Sequence, residues 1–239
     1  MSSIAVSIIL PCYNEAEHLE HSVEVLTKHS LDFKFSFEFI FIEDKSTDTT
    51  REILKKLEKN IKNAQFIYHD KNLGRGAAVK SGFKVAKGDI IGFIDIDLEV
   101  SPRYINSFIE SLETNDVVIG NRKYYSKTVL RSIIRNFLSD TYRSLNKKIL
   151  KHSYHDTEVG YKFFRKEKLE PFFKEASNDH WFWDTEFMMY CFRNNLKVAE
   201  IEVEFLRDNE KKSTVNVISD TLHYFKELIK FNRKFKQTK

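Results

Sequence analysis

The stretch "FIDIDLEV", residues 93–100, begins like a buried β-strand and ends in a run of acidic side chains. Asp95, Asp97 and Glu99 alternate there with apolar residues that suit the interior of a sheet. Because residues two apart in an extended chain point to the same side, we expect the three carboxylates to form one column. Charge beside a core is costly unless it is paired or bound to a metal ion. The pattern therefore predicts a charged site at the end of a strand.

On either side of this stretch, short apolar runs alternate with amphipathic runs through the first half of the chain. Strands are predicted at 4–10, 37–43, 64–69, 89–95 and 116–121, and helices at 14–29, 46–60, 74–88 and 103–113. Asn14, with Glu17 three residues later, is expected to cap the first helix. This alternation predicts an α/β fold, with a mostly parallel sheet covered by helices on both faces.

The second half of the chain is less regular. Periodicity predicts amphipathic helices at 128–150 and 215–236, a shorter helix at 184–195, and strands at 159–167 and 197–205. No repeat, low-complexity tract or linker rich in Pro and Gly interrupts the chain. We therefore expect residues 1–239 to form a single domain.

The composition excludes several classes of protein. Hydrophobic residues make up 41% of the 239 residues, and the formal net charge of +4 is too small to indicate nucleic-acid binding. Cys12 and Cys191 lack the spacing of metal ligands, which favours a reducing cytoplasm over a disulfide framework. No stretch approaches the roughly 18 apolar residues of a membrane span. We expect a cytoplasmic protein whose only membrane contact is peripheral, at the cytoplasmic face.

Polar clusters follow four of the predicted strands. The carboxyl ends of parallel strands meet at one edge of a sheet, and ligands bind at that edge. The clusters lie at residues 13–15, 43–44, 95–99 and 121–122. Their shared edge predicts a binding site.

The acidic cluster at 95–99 suits a hard divalent cation. Mg²⁺ and Mn²⁺ take oxygen ligands and leave coordination positions open for substrate phosphates. The alternative is a solvated turn whose acidic residues alternate by chance, because a short D-x-D sequence is common.

A second motif, "DKNLGRGAAVKSG" at 70–82, reads as a Gly-rich turn that opens a helix. It carries Lys71, Arg75 and Lys80, and backbone N–H groups at a helix start favour phosphate. An ordinary capped loop is the alternative. Because the motif is not G-x-G-x-x-G after a first strand, it is weak evidence for a dinucleotide site.

Taken in order, the motifs resemble the family 2 glycosyltransferases of the GT-A fold, a Rossmann-like α/β architecture. They are "SIILPCYNEAEHL" (7–19), "IFIEDKSTDTT" (40–50), "NLGRGAAVKSG" (72–82), "GDIIGFIDIDLE" (88–99) and "VIGNR" (118–122). The resemblance continues through "DTEVGYKFFRKE" (156–167) and "WFWDTEF" (181–187), so it covers nearly the whole chain. Within the family, the likeness is greatest to polyprenyl-phosphate (dolichyl-phosphate) glucosyl- and mannosyltransferases.

The resemblance implies a set of donor-side residues. Residues 1–122 would form the half that binds the nucleotide sugar. By position, Pro11, Tyr13 and Glu15 would line the nucleotide pocket, Asp44 would bind the base, and Lys71, Gly74 and Arg75 would lie near the nucleotide. Asp95 and Asp97 match the metal-binding D-x-D motif, with Glu99 as a further ligand of Mg²⁺ or Mn²⁺. Arg122 matches an arginine that faces phosphates.

It also implies residues on the acceptor side, within 123–239. Asp156, Gly160, Lys162 and Arg165 match a segment near the acceptor, and Trp181 and Asp184 match one that shapes the sugar side. The predicted helix at 128–150 and the basic C-terminal helix each suit either a membrane surface or simple docking on the sheet. Given the resemblance, Arg131 and Arg135 are candidates for binding an acceptor phosphate.

Two residues depart from the family pattern. The usual "DDGS" is "EDKS" here, with Glu43 in place of an aspartate and Lys45 in place of a glycine. Lys45 is the more serious departure, because glycine suits a tight turn at that position.

The resemblance implies a metal-dependent, inverting glycosyltransferase, with Asp97, Arg122, Asp156 and Asp184 as the catalytic candidates. UDP-glucose is the expected donor, GDP-mannose the next choice, and polyprenyl phosphate the expected acceptor. The alternative acceptor is a sugar hydroxyl of a surface glycan, which would require Asp156 or Asp184 to remove a proton. A non-catalytic protein that binds nucleotide sugars is the third possibility.

Overall fold

The computed structural model describes residues 4–124 and 154–206, together with Leu228 and Phe231. Its strands are β1 (Val6–Cys12), β2 (Phe37–Glu43), β3 (Ala64–Tyr68), β4 (Ile90–Ile94), β5 (Val117–Tyr124), β6 (Tyr161–Arg165) and β7 (Val198–Phe205). Its helices are α1 (Leu19–Ser30), α2 (Thr50–Leu57), α3 (Arg75–Val85), α4 (Ile105–Ser111), α5 (Lys166–Glu175) and α6 (Trp183–Arg193), with a 3₁₀ turn at Pro102–Tyr104.

The described strands form one sheet in the order β3-β2-β1-β4-β6-β5-β7. β3, β2, β1 and β4 are parallel neighbours, and β5 is parallel to β7. β6 lies antiparallel between β4 and β5. The predicted α/β fold with a mostly parallel sheet is confirmed, and the antiparallel β6 brings residues 156–162 next to the end of β4.

The core lies on both faces of the central strands. β1 and β2 are buried almost throughout, as their continuous apolar runs require in a sheet covered on both sides. Trp183, at the start of α6, is fully buried, and its ring lies 5.3 Å from that of Phe93 on β4. Trp183 therefore belongs to the core, whereas Trp181 is 52% exposed.

Several predicted boundaries are wrong. α1 begins at Leu19 rather than at residue 14, because Asn14 adopts a φ of +56° and accepts a hydrogen bond from the Thr47 backbone N–H (2.8 Å) instead of capping the helix. The sequence pattern did not predict α5, because Pro171 interrupts its helical periodicity.

The predicted helices at 128–150 and 215–236 lie outside the described residues, except for Leu228 and Phe231. These two side chains pack with Phe182 and Met189 of the α6 region. Among the helices that the structure describes, none has the length and apolarity needed to cross a membrane.

Candidate active site

The acidic stretch turns as soon as β4 ends. The Leu98 backbone N–H donates to the Asp95 carbonyl oxygen (3.2 Å), and Leu98 has a φ of +53°. The predicted extended column is therefore wrong, because the chain after Ile94 is a turn rather than a strand. The three carboxylates still share a site: Asp95, Asp97 and Glu99 all line one small open depression.

Asp95 is held between an arginine and a glycine. Its Oδ1 accepts hydrogen bonds from Arg75 Nε (3.1 Å) and Nη2 (2.8 Å). The Asp95 backbone N–H donates to the Gly160 carbonyl oxygen (2.9 Å), and a Cβ placed on Gly160 would lie 1.7 Å from Asp95 Oδ2. Only glycine at position 160 leaves room for this carboxylate, which is 44% exposed.

A chain of alternating charges runs inward from Asp95. Arg75, whose side chain is 10% exposed, also donates to Asp184 Oδ2, and the buried Lys162 Nζ donates to Asp184 Oδ1 (2.6 Å). Burial lowers the pKa of Lys162, and the Asp184 carboxylate only partly opposes that effect. Burial disfavours the charge of Arg75 as well, but the Asp184 and Asp95 carboxylates outweigh it and raise the pKa of Arg75. The resulting order is Asp95–Arg75–Asp184–Lys162.

Arg122 lines the same depression. Its Nε and Nη2 donate to the two carboxylate oxygens of Asp156, at 2.6 Å and 2.9 Å. Asp156 is 2% exposed, and the Arg122 guanidinium lies 5.3 Å from the centroid of the Phe205 ring. A bidentate pair of this kind fixes the plane of the guanidinium. Asp156 therefore orients Arg122 at the edge of the depression.

Asp44 faces inward at the end of β2. Its carboxylate accepts hydrogen bonds from the Leu73 N–H (2.9 Å) and the Gly74 N–H (2.8 Å), and it lies 2.7 Å from His69 Nδ1. Gly74 has a φ of +94°, a conformation that glycine adopts without strain. An internal carboxylate thus occupies the anion position at this turn.

The start of α3 is covered by the segment that precedes α6. The Ala77 N–H donates to the Asp179 carbonyl oxygen (3.0 Å), and Lys80 forms an ion pair with the Asp179 carboxylate. The prediction that backbone N–H groups here would bind phosphate is wrong for Gly74 and Ala77, whose N–H groups have protein partners. At these groups the structure matches the alternative, an ordinary capped loop. Lys71 is exposed.

The loop after β1 is tied to the loop after β2. The Asn14 N–H donates to Ser46 Oγ (3.0 Å) and the Glu15 N–H donates to Thr50 Oγ1 (2.8 Å). Pro11 is half-buried, and Tyr13 is 37% exposed beside them. These contacts bring the residues predicted to line the nucleotide pocket to the same edge of the sheet as Asp95.

The departures in "EDKS" are accommodated by the local structure. Lys45 has a φ of +57°, the left-handed conformation that glycine favours, and its side chain is exposed. The Glu43 carboxylate is fully buried and accepts hydrogen bonds from the Ser46 N–H and from Arg51 Nε. Burial raises the pKa of Glu43, but these hydrogen bonds and the Arg51 charge outweigh that effect and lower it.

Sequence reasoning missed one residue of the site. His69, at the end of β3, contacts both Asp44 and Ser81 Oγ (3.0 Å). Its place after a predicted strand was the available signal. The ammonium group of Lys162, which the resemblance places near the acceptor, donates a hydrogen bond to Asp184. Arg131 and Arg135 lie outside the described residues.

The carboxylates at the end of β4 fit one mode of binding a divalent ion. Within residues 4–124 and 154–206, no three His, Cys, Asp or Glu side chains are grouped as a ready-made metal site. Mg²⁺ does not require such a cage, because it binds through one or two carboxylates together with substrate phosphates and water. Asp95 and Asp97, both lining an open depression, fit that mode.

This sheet, with a charged site at its strand ends, defines an α/β protein of the GT-A type. The chain belongs to glycosyl transferase family 2, whose model matches residues 7–173. The family, the fold and the enzyme class predicted from the sequence are confirmed.

Relatives with assigned names are similar along most of this chain. Glycosyltransferase AglD of Haloferax volcanii is 30% identical over 225 residues, which are 92% of this chain but 36% of that relative. Dolichyl-phosphate beta-glucosyltransferase of Dictyostelium discoideum is 26% identical over 250 residues, covering 98% of this chain and 76% of the relative. The chain thus spans little more than a third of the length of AglD.

Solved structures share the fold at low sequence identity. Glucosyl-3-phosphoglycerate synthase from Mycobacterium tuberculosis, in complex with Mn²⁺, UDP and glucosyl-3-phosphoglycerate, has a TM-score of 0.69 and 18% identity, covering 95% of this chain and 77% of its own. Residues 1–349 of S. aureus TarS give a TM-score of 0.54 and 21% identity, covering 83% of this chain and 58% of theirs.

Proposed function

We propose that this chain transfers glucose from UDP-glucose to a polyprenyl phosphate, with GDP-mannose as the second choice of donor. The name of the Dictyostelium relative supports transfer of glucose to a dolichyl phosphate, and the name of the Haloferax relative supports a glycosyltransferase. The choice of acceptor depends on the surroundings of the two candidate bases, Asp156 and Asp184. Both Asp156 and Asp184 are buried in ion pairs with cationic side chains.

This observation bears on the acceptor because the two acceptor classes need different chemistry. A sugar hydroxyl must lose a proton to a base within hydrogen-bond reach as it attacks. A phosphate monoester is ionised at neutral pH and needs no such base. The oxygen atoms of both buried carboxylates already accept hydrogen bonds from Arg122, Arg75 and Lys162, so neither carboxylate is placed to accept a hydroxyl proton, and the site favours the phosphate.

On the donor side, Asp95 and Asp97 would hold Mg²⁺ or Mn²⁺, with Glu99 as a further ligand. The bound ion would neutralise charge on the donor's diphosphate. The Mn²⁺ and UDP complex of the mycobacterial synthase supports this assignment by analogy of fold. Transferase activity measured with Mg²⁺ and with Mn²⁺ separately decides between the two ions.

Arg122 would stabilise the negative charge that develops on the departing nucleotide. Its guanidinium lines the same depression as Asp95 and Asp97, and Asp156 holds it in one orientation. A hydrogen-bond donor fixed in advance where charge develops is the most effective form of electrostatic catalysis.

Pro11, Tyr13 and Glu15 would line the nucleotide pocket, with Lys71 and Arg75 nearby. Asp44 would contact the base. The hydrogen bonds that its carboxylate accepts from the Leu73 and Gly74 N–H groups would also shape that pocket. Residues 1–122 would bind the donor and 123–239 the acceptor. Arg131 and Arg135 would meet the acceptor phosphate, with the protein peripheral at the cytoplasmic face of a membrane.

A matrix of donors and acceptors tests the proposal. Purified protein with Mg²⁺ or Mn²⁺ receives radiolabelled UDP-glucose or GDP-mannose, together with a polyprenyl phosphate or a glycan. We expect label in the organic phase with UDP-glucose and polyprenyl phosphate. Label in the glycan alone would replace the acceptor, and donor binding without turnover in any combination would favour the non-catalytic binder.

A further inference from the structure

Lys162 is a fully buried lysine close to the donor site. It lies opposite Phe93 in the pairing of β6 with β4, and its Nζ is 5.3 Å from the centroid of the Phe93 ring. Its ammonium group donates to Asp184 Oδ1 and to the Val159 carbonyl oxygen. Lysine is almost never fully buried without a partner, and removing one member of a buried pair leaves the other charge uncompensated.

Asp184 is shared between two cations. Oδ1 accepts from Lys162 and Oδ2 accepts from Arg75, while the whole carboxylate is only 3% exposed. Arg75 in turn binds a second carboxylate, because its Nε and Nη2 both donate to Asp95 Oδ1. With Lys162 present, two cations balance two carboxylates.

Removing the charge of Lys162 would leave two carboxylates balanced by one cation. Asp184 would keep a buried negative charge with Arg75 as its remaining described cation. Because an uncompensated buried charge is costly, Arg75 would be drawn toward Asp184 and away from Asp95. The effect would therefore reach a carboxylate that lines the depression.

We infer that Lys162 is a positioning residue of the donor site, acting through Asp184 and Arg75 to fix the Asp95 carboxylate. Gly160, just before β6, supplies a second constraint. It packs against Asp95 Oδ2, and its carbonyl oxygen accepts a hydrogen bond from the Asp95 backbone N–H. The inference rests on the proposed function, since it concerns the residues proposed to bind the metal and the diphosphate.

The test is Mn²⁺-dependent binding of UDP, measured by calorimetry on the full chain without sugar or acceptor. Lys162→Met keeps the length of the side chain and removes its charge. We expect binding to weaken about 10-fold or more, the lower end of what loss of a residue behind a metal ligand costs. Lys166→Met is the matched control, because Lys166 also donates to a backbone carbonyl, that of Ala86 (2.6 Å), but at the opposite end of β6. Its binding should match wild type.

A double variant separates charge from packing. In Lys162→Met with Asp184→Asn, the charge that draws Arg75 away is gone, so UDP binding should recover relative to Lys162→Met. A packing role for Lys162 would give no such recovery and would overturn the inference. If Lys162→Met does not fold, a folded double variant that binds UDP supports the inference, and one that does not bind it overturns the inference.

UDP binding by the wild-type protein distinguishes failure of the proposed donor and metal site from failure of the inference about Lys162. If it shows no Mn²⁺-dependent UDP binding, the proposed donor and metal site is wrong, and the inference falls with it. If wild type binds and Lys162→Met binds equally well, only the inference is overturned.

Discussion

Lys45 breaks the family pattern yet adopts a backbone conformation that glycine favours. Its φ of +57° is the conformation for which glycine is used, and its side chain points to solvent. A non-glycine residue in this conformation costs about 1–2 kcal/mol. The departure from the pattern therefore affects stability rather than the shape of the loop.

Replacing Lys45 with Gly should stabilise the protein. Relief of backbone strain outweighs the added entropy of the unfolded chain, so we expect the free energy of unfolding to rise by about 0.5–1 kcal/mol. Denaturant unfolding measures this change. Lys45→Ala keeps the Cβ and should bring no gain; an equal gain from alanine would show that the side chain, not the backbone, is responsible.

Gly160 restricts where the Asp95 carboxylate can lie. A Cβ at this position would collide with the Asp95 carboxylate, so Gly160→Ala should cost about 1–3 kcal/mol of stability and should displace Asp95. Mn²⁺-dependent UDP binding should fall as well.

Gly120→Ala is the control for that change. Gly120 lies on β5, and the atoms nearest to a Cβ added there would be 3.1 Å away, which requires only a small adjustment. Binding that survives in both variants would contradict the role given to Gly160.

At the scale of elements, apolar runs predicted each strand that the structure describes, whereas pairing order and polar partners were not predictable. Periodicity carries no information on which strands are neighbours, so the insertion of β6 between β4 and β5 could not be read from the sequence. The Arg75–Asp184 pair joins residues 109 positions apart, and its contact was unpredictable for the same reason. The strand-end rule did locate Asp44 and Asp95, because it depends only on where each strand stops. Arg122 was expected just after a strand but lies within β5, which continues to Tyr124.

The connection from β2 to α2 provides a pH-dependent test at this scale. Buried Glu43 holds Ser46 and Arg51, so Glu43→Gln should lower the free energy of unfolding by about 1–3 kcal/mol at pH 7. The pKa of Glu43 is lowered in the folded state, so its contribution is complete above the ordinary value of 4.5 and is lost as the pH falls through the lowered value.

The difference between wild type and Glu43→Gln should therefore be constant at neutral pH and shrink in acid. Denaturant unfolding from pH 7 to pH 3 measures it. A difference that grows as the pH falls would show that the pKa of Glu43 is raised in the folded state.

At the scale of the whole molecule, one sheet edge brings together acidic residues from the turn after β4, Arg122 from β5 and the inward-facing Asp44 from β2. The family model, which matches residues 7–173, includes all of these residues. Arg131 and Arg135, proposed to meet the acceptor phosphate, lie within residues 125–153, outside the described part of the chain, so their proposed role depends on the resemblance alone.

The most direct test of the central claim follows label and nucleotide together. Wild type and Asp97→Asn are incubated with radiolabelled UDP-glucose, a divalent metal and polyprenyl phosphate, and released UDP is compared with label in the organic phase. We predict equal amounts of the two with wild type, and neither above background with Asp97→Asn. UDP released without organic label, or transfer undiminished in the variant, would contradict the proposed acceptor or the proposed metal site, respectively.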